Sequence, residues 1–192
     1  MPRVLKNLFA QGISVKILEA ETEQLISYLG NYEIDAAIVM SESSIIDKLP
    51  VRAAYRPFFK EKLQLLIASS DPLSNKAHLS LRDVAHHSWI LSNNPHDPVD
   101  NLLRAAMQRE GLEIMSHLQS DDYSVIQSYV GEGLGVALVP ISAITTNRNN
   151  VVPLDLVDVE FTREIAVIIG LHSPYSVVNT LMRELASATS TT

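Results

Sequence analysis

Tyr129-Val130-Gly131-Glu132-Gly133-Leu134-Gly135-Val136-Ala137-Leu138-Val139-Pro140 is the stretch on which the fold turns. Three glycines at alternate positions invite a dinucleotide-binding reading. Such a loop must follow a strand and open a helix, because the phosphates sit on the helix N-terminus. Here Val125, Ile126, Tyr129 and Val130 recur at helical spacing before the glycines, and 136–139 reads as a buried strand stopped by Pro140. The glycines therefore close a helix, with Gly133 as its cap, and the dipole end is the wrong one for a phosphate. The segment is a helix-to-strand step of an α/β protein.

The same grammar extends in both directions. Upstream lie a strand at 115–119 and a helix starting at Asp121 or Asp122. Before them, Asp97 and Pro98 suit the start of a helix carrying Leu102, Leu103, Ala106 and Met107 and closed at Gly111. Trp89-Ile90-Leu91 is a short buried strand ending in the polar loop 92–95, and Ser80 opens a short helix over 79–85. Strands are also expected at 51–55, on an edge, and at 62–69. Nearer the N-terminus, a helix over 4–9 ends at Gly12 and a strand follows at 13–18. Thr22 then caps a helix with Leu25, Ile26 and Leu29, ended at Gly30. The nearly continuous apolar run 34–40 predicts a strand covered on both faces, and strand-helix-strand over 13–40 predicts a parallel pair. Downstream come strands at 151–156 and 163–171, then a helix opened by Ser173 and Pro174. The elements form two βαβ runs, and so two α/β lobes.

The chain of 192 residues carries 22 acidic against 15 basic side chains, a net charge of −7, which argues against a nucleic-acid-binding surface on this segment. With 46% hydrophobic and 19% charged residues it has the composition of a soluble globular protein. It has no cysteine, which excludes disulfides, thiolate metal sites and a cysteine nucleophile. No signal peptide and no membrane span is visible in it, so the expected compartment is the cytoplasm.

Motifs for chemistry are few. The six histidines include no pair spaced four apart around a glutamate, so no metal site is expected, and no nucleophile elbow or phosphate loop is present. Neither an enzyme nor a cofactor is indicated. Asp121 and Asp122 start a helix, where capping is the ordinary role of a carboxylate. Three polar loops follow the C-terminal ends of strands, at 41–43, 92–95 and 120–122, the place where open α/β sheets receive ligands.

Several phrases, in order, resemble the regulatory domain of LysR-type transcriptional regulators. They are Leu29-Gly30 with Ile34-Asp35-Ala36-Ala37-Ile38, the 63–69 strand with Asp71-Pro72-Leu73, Leu79-Ser80-Leu81-Arg82-Asp83-Val84, and the 129–140 stretch itself. The resemblance covers nearly the whole chain. It implies a two-lobed fold like the type 2 periplasmic binding proteins with two crossover strands, near 58–69 and 163–173. Lobe I would be 1–61 plus 163–192, and lobe II 62–162. By position, the family's effector contacts fall on Ser41, Glu42, Ser92, Asn93, Ser120 and Asp121. Glu42 and Asp121 add negative charge to that pattern and leave room for a ligand carrying an amine. The resemblance further implies a small-molecule effector bound between lobes, a homodimer or tetramer, no membrane, and DNA contact only through a winged helix-turn-helix outside this sequence. The helices starting at Thr22, Asp97 and Asp122 are the candidate pairing surfaces. The family's first strand of lobe I is also expected to be missing, with rearrangement, disorder or dimer contacts near 1–20. A transport-type solute-binding protein of the same fold is the alternative.

Overall fold

A computed structural model describes residues 2–41, 43–145 and 150–189. In chain order its elements are α1 (Pro2–Ala10), α2 (Thr22–Gly30), β1 (Ala36–Met40), α3 (Ser43–Asp47), β2 (Ala53–Ala68), α4 (Leu81–Val84), β3 (Ser88–Leu91), α5 (Pro98–Arg109), β4 (Met115–Gln119), α6 (Tyr123–Gly131), β5 (Ala137–Pro140), β6 (Val151–Leu154), β7 (Phe161–Gly170) and α7 (Tyr175–Thr189). Two compact units result, residues 1–60 with 164–192 (unit 1) and residues 61–163 (unit 2). β2 and β7 each contribute to both.

In unit 1, β1 runs antiparallel to β7, from Ala36 opposite Ile169 to Met40 opposite Ile165. One face of this ladder, with Ala37, Val39, Ala166 and Ile168, is covered by Ile26 and Leu29 of α2 and by Ile45 of α3. On the other, Val167 and Ile169 pack with Val4 and Leu8 of α1 and Leu185 of α7. α1 and α2 thus each bury one apolar stripe, Val4 with Leu8 and Ile26 with Leu29. In unit 2, β5 and β6 run antiparallel to β2, while β3 and β4 form a separate parallel pair. Ile126 and Val130 of α6 close one cluster with Leu66, Ile90, Ala137 and Val139. Trp89 lies at the base of the 92–95 loop and is fully buried.

Some expectations change. Residues 13–18 form no strand, although Ile13 and Val15 lie against the α1–α7 cluster. A strand is made by its partner, and β propensity alone does not supply one. The predicted parallel pair over 13–40 is therefore not formed, and parallel pairing appears instead at β3–β4, joined through α5. β1 is not covered on both faces along its length, since Ile38 is 38% exposed. The two strands expected at 51–55 and 62–69 are one continuous strand, β2, which runs through Pro57. Gly30 is the last helical residue of α2, and the left-handed position after it is taken by Tyr32 at φ +63. Gly133, by contrast, takes the left-handed conformation, at φ +73, and its backbone N–H returns to Val130.

Candidate functional site

The parallel pairing of β3 with β4 sets Leu91 opposite Gln119. The register is carried one residue further by Ser120, whose backbone N–H donates to the Leu91 carbonyl at 2.9 Å. Because the pair is parallel, both strands end on the same side, and the loops that leave them lie next to each other. Asp121 is met there by three donors. Ser92 Oγ donates to Oδ1 at 2.6 Å, the Asn93 backbone N–H to Oδ1 at 3.0 Å, and Asn93 Nδ2 to Oδ2 at 3.0 Å. The Ser92 hydroxyl and the Asn93 amide hold the Asp121 carboxyl below the usual carboxylate range, so it is ionised at neutral pH.

Asp122 behaves differently from its neighbour. Its Oδ1 accepts from the backbone N–H groups of Ser124 at 2.7 Å and Val125 at 3.4 Å, and so caps α6. The pair expected to share the capping role has divided it. Ser120 Oγ accepts from the Asp122 backbone N–H at 3.2 Å and thus serves the entry to α6.

Beneath the loop lies Asp100, a residue only 8% exposed. Its Oδ2 accepts from the Ser92 backbone N–H at 2.9 Å. Burial pushes its pKa up to about 6, against the pull of that hydrogen bond, and the neighbouring Asp97 adds to the rise. Asp97 caps α5 by accepting from the Val99 and Asp100 backbone N–H groups at 2.9 and 3.0 Å. Sequence reading missed Asp100. The available signal was an acidic residue at the third position of α5, which usually reaches back toward its own cap and here reaches the preceding strand end.

In unit 1, Ser41 follows β1 directly, and its backbone N–H donates to the Glu164 carbonyl at 2.6 Å. Its hydroxyl is hydrogen-bonded to that of Tyr55, a partner the sequence did not flag. Glu42 lies outside the described residues. Of the six predicted residues, then, Ser92, Asn93 and Asp121 form one hydrogen-bonded group, Ser120 flanks it, and Ser41 belongs to unit 1.

Hollows of about 340, 370 and 310 Å³ in unit 2 are lined by other residues, among them Lys62 with Asp155, Arg104 with His117, and Arg109 with Asp158. Among the described residues no group of three histidine or acidic side chains converges as a metal site. An ionised carboxylate, a hydroxyl and an amide at a strand-end corner suit recognition through hydrogen bonds.

The chain is thus a two-unit α/β domain with a polar corner at the ends of two parallel strands. The model of the LysR substrate binding domain matches residues 1–188, and the chain belongs to that family. It is the effector-binding domain of a LysR-type regulator. A probable RuBisCO transcriptional regulator from Phaeodactylum tricornutum is 28% identical over 182 residues, which is 90% of this chain and 58% of that protein. The chain thus spans little more than half the length of that relative. An OxyR cysteine mutant from Corynebacterium glutamicum superposes with a TM-score of 0.80 at 21% identity, over 99% of this chain and 59% of that one. The CcmR regulatory domain of Synechocystis, solved in complex with 2-PG, gives 0.80 at 19% identity, over 98% of this chain and 90% of that one. None of these is a transport protein, and the transport alternative draws no support from them.

Proposed function

We propose that this chain senses a small polar metabolite through the corner formed by Ser92, Asn93, Ser120 and Asp121. The observation that carries the reading is the convergence of Ser92, Asn93 and Asp121 from two loops at the ends of parallel strands, where ligands of open α/β sheets bind. Ligand binding acts on the protein by favouring one of two arrangements, since a ligand indifferent to both would shift nothing. The arrangement it selects is that of a homodimer or tetramer in the cytoplasm. DNA is contacted by a part of the regulator outside this sequence, a reading supported by this segment's net charge of −7. The domain binds its effector without transforming it. An effector carrying an amine suits the negative charge that Asp121 brings. Thiol-based sensing is not open to this chain, which has no cysteine.

A thermal-shift screen of the purified chain against small metabolites tests the reading. At one hundred times its dissociation constant a ligand adds roughly 2.7 kcal/mol of stability, a visible rise in Tm. The expected result is one reproducible hit whose shift is lost in Asn93→Ala. A hit whose shift survives Asn93→Ala and Ser120→Ala would place the effector elsewhere. Light scattering checks the oligomer, and a strict monomer at high concentration would count against it.

A further inference from the structure

The donors of the Ser92–Asn93 corner are already engaged. The Ser92 hydroxyl, the Asn93 backbone N–H and the Asn93 side-chain amide all point to the two oxygens of Asp121. The Ser92 backbone N–H goes to Asp100, and the Asn94 backbone N–H returns to Ser92 Oγ at 2.9 Å. A bound carboxylate ligand would ask for the same three donors, two on one oxygen and one on the other. Local folding does not need Asp121 for this, because its neighbour Asp122 supplies the helix cap. The two loops are 28 residues apart in sequence at the Asn93–Asp121 contact, so Asp121 is not fulfilling a turn requirement either.

We propose that Asp121 is a resident carboxylate, lodged in the anion-accepting set of this corner, and that it makes the domain reject small carboxylate ligands. The inference rests on the reading of this corner as the effector site and names Asp121 as the residue that sets its specificity. Two effects exclude the anion. Asp121 is tethered one residue beyond Ser120 and competes intramolecularly, at an effective concentration a free ligand must exceed. It is also ionised, so a second carboxylate brought to the same donors meets like charge from Asp121, with Asp97 and Asp100 close behind it. Arg104 offsets the charge of Asp100. Removing the Asp121 side chain leaves the hydroxyl and both amide donors open, a set sized for one carboxylate.

The test is an amide-resolved NMR titration of the whole chain with sodium acetate, at constant ionic strength set by chloride. Wild type, Asp121→Ala and Asp121→Ser are compared, the serine variant covering a failure of the alanine one to fold. Wild type is expected to show no saturable shift at Ser92 or Asn93 through the millimolar range. The variants are expected to show saturable shifts confined to residues 92–94, with affinity raised by roughly tenfold or more. Equal binding by wild type, or a folded variant without saturable shifts at these amides, overturns the proposal. The metabolite screen reports separately on the effector site. A metabolite with a footprint away from residues 92–93 would sink that reading while leaving the acetate result intact.

Discussion

Asp97, Asp100, Asp121 and Asp122 occupy one corner of unit 2, and each carboxylate has a different environment. Asp97 and Asp122 are helix caps, and Asp121 is held by three donors, but Asp100 is buried with a single hydrogen bond. Its pKa of about 6, against an ordinary 3.8, means that the folded chain takes up a proton the unfolded chain does not hold between those values. Stability contributed by this group is therefore full below about pH 4 and falls as pH rises to about 6. The displacement corresponds to at most about 3 kcal/mol. Asp100→Asn keeps an oxygen for the Ser92 N–H and carries no charge. It should be more stable than wild type at about pH 7.5, with the advantage vanishing near pH 4. Urea unfolding at the two pH values measures this, and an equal difference at both would refute the assignment.

At the scale of elements, helix ends were legible because capping is local. Ser80 with Asp83 forms the capping box of α4, and Asp97 caps α5 as its place before Pro98 predicts. Asp97→Ala should cost about 1 kcal/mol and, by removing a like charge, also draw the Asp100 pKa down. Ladders were less legible, since pairing is decided by residues far away. Residues 13–18 have strand propensity without a partner, and β2 continues where sequence suggested a break. The site was half legible for the same reason. Position after a strand end singled out Ser92 and Asn93, but nothing local reveals that Asp121, not Asp122, meets them. The glycine triplet at 131–135 separates two demands. At Gly133 a Cβ would have open space but an unfavourable φ, whereas at Gly135 it would lie 2.5 Å from the Ser88 carbonyl oxygen. That carbonyl accepts from the Val136 N–H at 2.8 Å, so it is pinned against Gly135. Gly133→Ala should cost about 1–2 kcal/mol and Gly135→Ala more, roughly 3 kcal/mol. Thermal unfolding would expose the reverse order.

At the scale of the molecule, the two units differ in how the chain builds them. Unit 1 needs residues from both ends of the sequence, while unit 2 is the unbroken segment 61–163. That segment holds an apolar cluster of its own, and the part of β2 that pairs with β5 and β6 lies within it. Its first and last residues are joined to each other. Glu61 Oε2 accepts from Arg163 Nε at 2.8 Å and from an Arg163 terminal nitrogen at 2.7 Å, and Glu61 Oε1 accepts from the Ser142 backbone N–H at 2.9 Å. Burial alone would raise the Glu61 pKa, but Ser142 and Arg163 outweigh it and hold the carboxyl below its ordinary range. A segment whose two ends are joined by an ion pair, two guanidinium nitrogens on one carboxylate oxygen, keeps those ends together when its flanking chain is removed. The excised segment 61–163 should therefore unfold cooperatively on heating, whereas residues 1–60 alone should not. Glu61→Gln leaves the half-buried Arg163 charge without its counterion; the pair is partly solvated, so the loss should be about 1–3 kcal/mol in both the fragment and the whole chain. Circular dichroism melts of the whole chain, the fragment 61–163, residues 1–60 and the two Glu61→Gln variants decide it. A broad, non-cooperative fragment would mean that unit 2 draws its order from unit 1, and a Glu61→Gln variant as stable as its parent would mean that the ion pair contributes nothing.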